Sequence, residues 1–154
     1  MLDAVIERLR GDLLLYHKAA GAARAEATHE QSKAENKYDT RGLEASYLAR
    51  GQSRQASEIE AAIAQFEKLA ARDFQAGDAV ELGAVVTLQS GKEKSIYLIG
   101  PRAGGTEVIY EGEEVLVITP ESPLGSQLIG KKGGEKCELE LGGRNQQFKV
   151  VTVE

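Results

Sequence analysis

Residues 33–52 carry a cluster of charged side chains that is unlike the sequence on either side of it. Three acids and two bases lie within residues 35–44, with a net charge of −1: Glu35, Lys37, Asp39, Arg41 and Glu44. The flanking stretches have helical patterns, and Gly42 allows an unusual turn geometry between them. Two interpretations stay open. Either the charged side chains only keep a turn in contact with solvent, or the two helices serve to carry these charges to the place where they function.

Other side chains with chemical potential form weaker patterns. His17 and His29 are twelve residues apart and have no second ligand at a metal-binding spacing, so we predict surface or packing roles for both. Cys137 alternates with acids along a β-rich stretch, which predicts a small core residue. The pairs Gly104-Gly105 and Gly133-Gly134 lack the preceding strand and following helix of a nucleotide-binding loop, so we predict turns.

The composition bounds the class of function. The chain has 154 residues, 42% hydrophobic and 28% charged, which is typical of a globular protein of one domain or two small ones. No apolar run approaches the roughly 18 residues of a membrane helix, and acids within the N-terminal pattern argue against a signal peptide. One cysteine excludes an internal disulfide framework. The net charge of −5 disfavours phosphate-driven nucleic-acid binding, so we expect a cytoplasmic protein with a protein partner.

Apolar residues in the first half recur at three- and four-residue spacings, which predicts two helices. The first stripe is Leu2, Val5, Ile6, Leu9, Leu13, Tyr16, Ala20, Ala23 and Ala27, and the second is Leu48, Ala56, Ile59, Ala62, Ile63, Phe66, Leu69 and Ala70. Neither helix can bury its stripe alone and few residues separate them, so we predict an antiparallel coiled-coil hairpin. Alanine and glycine replace the large residues toward the turn, which predicts a hairpin that becomes thinner there.

From about Asp78 the apolar period falls to two, which predicts short β-strands. The predicted strands are 84–89, 95–100, 107–110, 114–119, 137–141 and 147–153. One helix interrupts them, with Ser122 as its N-cap, Pro123 as its first residue and Gly130 as its C-terminal stop. Its predicted apolar face is Leu124, Leu128 and Ile129.

The sequence therefore predicts an α+β protein in two parts. An N-terminal antiparallel helical coiled-coil hairpin spans residues 1–72, and a compact β-rich domain with one short helix spans residues 77–154. The acids and bases of residues 1–72 balance, so the whole net charge of −5 belongs to residues 73–154. This shift in charge coincides with the change of apolar period near residues 71–77.

Four stretches carry a family resemblance: "LGAVVTL", "SIYLIGP", "ITPESPLGSQLIGKKGGEKCEL" and "QQFKVVTV". They resemble the C-terminal domain of the Gre transcript-cleavage factors of bacterial RNA polymerase, a domain with an FKBP-like fold. The segment from Ser122 to Gly134 is the most specific part of the match. The family also has an N-terminal coiled-coil hairpin of about this length. The resemblance therefore spans nearly the whole chain, although in the hairpin it is architectural only.

The resemblance implies a protein that is not itself an enzyme. In the family, the C-terminal domain docks at the rim of the polymerase's secondary channel, and the hairpin enters that channel. Carboxylates at its tip help hold the second Mg²⁺ ion of the polymerase active site, and backtracked RNA is cleaved. By this resemblance Asp39 and Glu44 are the catalytic and metal-binding pair, with Glu35 as a third candidate. Nascent RNA is met only inside the polymerase, and no small-molecule substrate is expected.

The same resemblance supplies candidate contacts for docking on the polymerase. They are Ser122, Pro123, Leu124 and Gln127. Helix capping by itself explains the residue types at the first two positions. A docking role for this edge therefore rests on the resemblance.

The tip departs from the family pattern, in which an aspartate and a glutamate three apart precede a tyrosine. Here Asp39 and Glu44 are five apart before Tyr47, with Arg41 and Gly42 between them. The positive charge dilutes the attraction for a metal, so a channel-binding regulator or inhibitor without cleavage activity is an alternative function. An FKBP-like peptidyl-prolyl isomerase is a more remote alternative. It is disfavoured because an aromatic-lined active site is hard to build with no tryptophan and three phenylalanines.

Overall fold

The computed structural model describes residues 1–28, 41–70, 72–75, 77–141 and 144–154. Its first elements are two long helices, α1 (Leu2–Thr28) and α2 (Arg41–Lys68). They are antiparallel, because His17 contacts Glu60 while Arg24 shares a groove with Arg50, nearer the start of α2. The predicted helical hairpin is confirmed. None of the helices in the described ranges is long and apolar enough to span a membrane.

Buried residues of the helix pair follow a heptad pattern, as in helices that pack along a seam. On α2 the buried seam residues are Ala45, Ala49, Ala56 and Ile63, and on α1 they include Leu9 and Ala23, two heptads apart. The large members lie where α1 begins and α2 ends, and the alanines lie toward the turn. Alanine lets helix axes approach to the lower end of the usual 8–10 Å range, about 8 Å. These small seam residues fit a hairpin that becomes thinner toward its turn, which stays a prediction.

The predicted stripe is wrong at Leu48, which is 55% exposed. Ala49, one position later, is buried in its place. A step of one residue turns the side chain by roughly 100° around a helix of 3.6 residues per turn. Leu48 therefore leaves the seam, and large apolar side chains remain on the outside of the helices at Leu14, Leu15, Leu43 and Tyr47.

The second half forms a single six-stranded sheet. Its strands are β1 (Val85–Ser90), β2 (Glu93–Ile99), β3 (Glu107–Tyr110), β4 (Glu113–Ile118), β5 (Lys136–Leu141) and β6 (Arg144–Val153), in the spatial order β3-β4-β2-β1-β6-β5. Neighbouring strands are antiparallel except β2 and β4, which are parallel. Glu111 and Gly112 join β3 to β4 with φ values of 54° and 85°, as a two-residue type I′ turn requires. All six predicted strands are confirmed.

One short helix, α3 (Pro123–Leu128), packs its fully buried Leu128 into the main core of the sheet. That core comprises Val80, Ala84, Val86, Leu88, Ile99, Ile118, Leu128, Cys137, Phe148, Val150 and Val153. The predicted N-cap at Ser122 is confirmed, and Gly130 has the positive φ of 82° expected of a helix stop. Ile129 is 41% exposed, so its assignment to the apolar face is wrong. Its backbone has already left the helical region (φ −52°, ψ 128°), which turns the side chain away.

The chain divides into two compact units, and the division does not follow the ends of the helices. One unit is Glu7–Ile63, and the other is Met1–Ile6 together with Ala64–Glu154. In the second unit, Arg72 holds the segment before β1 by donating to Glu81 at 2.7 Å and to Asp78 at 3.1 Å. Its guanidinium also lies 4.9 Å from the centre of the Phe74 ring. The proposed domain limits of 1–72 and 77–154 stay a prediction.

The last turns of α2 pack against the sheet within this second unit. A Cβ placed on Gly100 would lie only 2.7 Å from Cζ of Phe66 and 2.7 Å from Cγ1 of Val117. Phe66 is 1% exposed and Val117 is fully buried. Since real Cβ atoms essentially never lie this close to another heavy atom, glycine is the residue that permits this approach. The sheet backbone and the aromatic ring are therefore in direct contact at Gly100.

This packing predicts that Gly100→Ala destabilises the protein. The added methyl group must displace Phe66 or Val117, and overpacking of this kind costs about 1–3 kcal/mol. The free energy of unfolding in urea would measure the loss. Gly11→Ala is the matched control: nothing lies within 4 Å of a Cβ there, and removing a helical glycine should stabilise by up to about 1 kcal/mol. Equal effects of the two variants would contradict the assignment of Gly100 to a close contact.

Candidate functional site

The predicted acidic tip lies where α1 ends, at Thr28, and α2 begins, at Arg41. Of its three carboxylates, Glu44 belongs to the described part of the chain. Glu35 and Asp39 lie outside the described residues. The distance between the proposed metal-binding carboxylates therefore stays a prediction.

Glu44 is exposed in the first turn of α2. A carboxylate there interacts favourably with the partial positive charge of the helix N-terminus, typically by about 0.3–1 kcal/mol at an exposed position. Among the described residues no group of three or more histidine, cysteine or acidic side chains is arranged to hold a metal ion. Mg²⁺ sites, however, commonly use one or two protein carboxylates with water and substrate phosphates. An exposed Glu44 fits such a shared site and does not make one by itself.

The residues that follow Glu44 present apolar and aromatic side chains to solvent. Leu43 is 56% exposed and Tyr47 is 62% exposed, and they lie four residues apart on one side of α2. The guanidinium of Arg50 lies 6.0 Å from the centre of the Tyr47 ring, at the limit of a cation–π contact. Ser46 donates its hydroxyl to the carbonyl of Gly42 at 2.9 Å, which occupies that hydroxyl proton within the helix. The sequence analysis missed the exposed pair, because it gives Leu43 no role and treats Tyr47 only as the tyrosine that follows the acids.

A shallow groove of about 330 Å³ lies between the two helices close to their turn. Its lining combines two arginines with small and hydroxyl-bearing residues: Arg24, Thr28, Ser46, Ala49, Arg50 and Ser53. Both arginines are exposed at the rim of the groove. The sequence, with its three acids at the turn, suggests an acidic region. The part of that region that the structure describes is more basic than this. The signal that could have identified it is the pair of arginines at seam-flanking positions.

Local structure explains most of the residue types in the candidate docking edge, which runs from Ser122 to Gln127. Ser122 Oγ accepts a hydrogen bond from the amide of Gly125 at 3.0 Å and donates one to the carbonyl of Thr119 at 2.7 Å. A Cβ on Gly125 would lie 2.0 Å from that same carbonyl oxygen, so only glycine fits. The first turn of α3 is therefore tied closely to the end of β4.

Within the candidate docking edge, the side chains differ in exposure. Pro123 and Gln127 are exposed, whereas Ser122 and Leu124 are half-buried. Leu124 packs against the main core of the sheet, so substitutions there affect stability as well as any surface. Gln127 is thus the member of this edge that a variant can change with the least effect on folding.

The remaining candidates with chemical potential have structural roles where they are described. Cys137 is 4% exposed and faces the core opposite Phe148 on β6. Burial raises the pKa of the Cys137 thiol, and the nearby Lys131 opposes this in part, so the thiol stays protonated and unreactive at neutral pH. Nε2 of His17 lies 3.2 Å from Oε1 of Glu60, between exposed side chains of the two helices. His29 lies outside the described residues.

Comparisons with known proteins match the chain to one family. The family profile described as "Transcription elongation factor, GreA/GreB, C-term" matches residues 75–154. Transcription elongation factor GreA of Streptococcus pneumoniae serotype 4 is 30% identical over 102 residues, which cover 65% of this chain and 59% of that protein. Transcription inhibitor protein Gfh1 of Thermus thermophilus is 26% identical over 131 residues, which cover 80% of this chain and 77% of that protein.

A crystal structure of Thermus aquaticus Gfh1 aligns with 99% of this chain and 95% of its own, at 23% identity and a TM-score of 0.43. The match to the streptococcal GreA spans about three-fifths of that protein's length. The family profile, by contrast, covers more than half of this chain and includes every strand and α3. On that match, the chain belongs to the GreA/GreB family of transcription factors.

Proposed function

We propose that this protein binds RNA polymerase, places the turn of its helix pair in the secondary channel, and stimulates cleavage of backtracked RNA. The observation that carries the proposal is the GreA/GreB match over residues 75–154 in a chain whose other part is a helix pair with acids at its turn. Action on bacterial RNA polymerase would place the protein in the cytoplasm. The catalytic centre would be the polymerase's own, so the factor would not be an enzyme by itself.

The dimensions of the helix pair support entry into a channel. At 1.5 Å per residue, α1 and α2 are each roughly 40 Å long. The seam residues near the turn are Ala23, Ala45 and Ala49, all buried. With so little side-chain volume between them, the helices would lie close together where the pair would pass through a narrow opening.

Asp39 and Glu44 would act by presenting carboxylate oxygens, with Glu35 as an additional acid. The Mg²⁺ shared with the polymerase would supply Lewis acidity for hydrolysis of the RNA phosphodiester. Glu44 would contribute an exposed anionic oxygen held at a fixed point by the first turn of α2. Without Asp39, a single exposed carboxylate gives a weak hold on a divalent cation.

Arg24 and Arg50 would meet the nascent RNA inside the polymerase. Both line the groove near the turn, and both are exposed. Guanidinium groups recognise phosphate oxygens with paired hydrogen bonds. This agrees with a protein of net charge −5 that contacts RNA only after docking on the polymerase.

The double variant Asp39→Asn, Glu44→Gln tests the cleavage function. It preserves side-chain shape and removes two charged oxygen ligands, so polymerase binding should persist while cleavage falls by about tenfold or more. The measurement is RNA shortening in a stalled, backtracked elongation complex at saturating protein. Asp12→Asn, Glu58→Gln is the control, because it removes the same charges from exposed ion pairs farther along the helices.

A second candidate function is inhibition of transcription without cleavage. The match to the transcription inhibitor Gfh1 extends over 80% of this chain, against 65% for the match to the streptococcal GreA. The spacing of Asp39 and Glu44, with Arg41 between them, also weakens a metal site. If wild type and the double variant are equally unable to shorten RNA, yet both slow nucleotide addition, inhibition replaces cleavage as the function.

Docking through the α3 edge predicts that Gln127→Arg weakens polymerase binding at least about threefold, because a bulky charge replaces a neutral contact. The thermal midpoint should stay unchanged, since Gln127 is exposed. Gln75→Arg is the matched control, the same substitution at another exposed position. Titration of labelled protein with polymerase gives the affinities. Unchanged binding by Gln127→Arg would remove this residue from the docking edge.

A further inference from the structure

An open cleft of about 640 Å³ lies on the β-rich part of the protein, among β1, β2, β3 and β4. This volume is within the range of about 300–1,000 Å³ that small-molecule sites commonly have. Its lining uses no residue of α3, so it is separate from the Ser122–Gln127 edge. The cleft is also distinct from the turn of the helix pair, where the proposed cleavage function would lie.

The cleft is acidic. Three glutamates line it, Glu107, Glu113 and Glu114, and among its described lining residues Lys94 is the basic one. The two glutamates that begin β4 are exposed, so a ligand reaches their carboxylates directly. A site with this balance repels phosphate and attracts cationic groups. Nucleic acid is therefore a poor ligand here, and a basic ligand is a good one.

The lining also includes apolar surface. Tyr97 and Leu116 are both half-buried and lie side by side, since β2 and β4 pair them, whereas the half-buried Ile96, next to Tyr97 on β2, lines the cleft from the other face of the sheet. Ile109, which pairs with Glu114 in the β3–β4 ladder, is 70% exposed beside this surface. Aliphatic side chains of a ligand would bury area against these residues while its cations meet the glutamates. A metal ion or a small polyamine would leave this apolar surface uncovered.

We propose that this cleft is a docking site for a segment of a partner protein in which lysine or arginine alternates with aliphatic residues. The pairing of exposed carboxylates with apolar surface matches both kinds of side chain in one short segment. The proposal is independent of whether the turn of the helix pair stimulates cleavage or inhibits. It adds a second contact surface to the protein. This surface is acidic, whereas the groove of Arg24 and Arg50 is basic.

The test uses the full-length chain, labelled with ¹⁵N, and a probe peptide of sequence Gly-Leu-Arg-Leu-Lys-Gly. At low salt we expect amide shift changes concentrated in residues 94–97 and 113–116. A charge-reversed peptide with glutamate at both basic positions should bind at least about tenfold more weakly, since two attractive pairs become repulsive. A peptide with serine in place of leucine should also bind more weakly, because the apolar contact is lost.

Variants assign the binding to the cleft. Glu113→Gln, Glu114→Gln should weaken the basic peptide about three- to tenfold, while Lys94→Gln, which makes the cleft more acidic, should strengthen it. The control Asp73→Asn, Glu154→Gln removes two exposed acids elsewhere and should change binding less than about twofold. Equal binding of both peptides, an unchanged affinity in the Glu113 and Glu114 variant, or tighter binding of a six-nucleotide RNA probe would each overturn the proposal.

Discussion

The contact between the Phe66 ring and the backbone of Gly100 is the constraint on which the second compact unit depends. A sheet with α3 on one side has another face to bury, and the last turns of α2 supply the apolar side chains for it. Phe66 reaches Val117 on β4 because residue 100, directly after β2, has no Cβ in the way. Burying an aromatic side chain stabilises by about 1.5–3 kcal/mol, a large share of the net stability of a small domain. The end of α2 is therefore part of the core of the sheet.

Glycine has the same role at the other side of the sheet. Gly125 lies in the first turn of α3, where its backbone approaches the carbonyl of Thr119 too closely for any side chain. Ser122 then satisfies that same carbonyl and caps the helix with a single hydroxyl. Two helices, α2 and α3, thus pack closely on the sheet because a glycine stands at each contact. The segment between α2 and β1 is fixed differently, by the charges around Arg72.

Features with a local cause could be predicted from the sequence. The six strands follow from period-two patterns, and the start of α3 follows from Ser122 and Pro123, because capping involves residues within one turn of each other. Failures came from offsets of a single residue. Leu48 was placed in the seam because leucine gives a stronger apolar signal than Ala45 or Ala49, although packing along a heptad selects by position. Ile129 was placed on α3 because sequence pattern does not show where a backbone leaves helical geometry.

The candidate site was harder to predict for a physical reason. Whether two carboxylates act together depends on a distance, and a spacing of five residues across a turn does not fix one. The arginines at the groove were overlooked because they lie far apart in sequence and meet only through the pairing of α1 with α2. Acidic residues at a turn gave a conspicuous pattern, whereas a basic groove formed between helices gave none.

The alanine seam has a consequence for how such a protein tolerates substitution. Replacing Ala45, Ala49 or Ala56 by valine or leucine would add buried apolar area, and many such changes would raise resistance to heat or denaturant if the helices moved apart. A wider helix pair would be the result. Selection for stability and selection for a narrow helix pair then favour different residues at the same positions. Variants recovered from a thermal screen would therefore be expected to accumulate in the seam, and their gain in stability would be a poor guide to whether they still function.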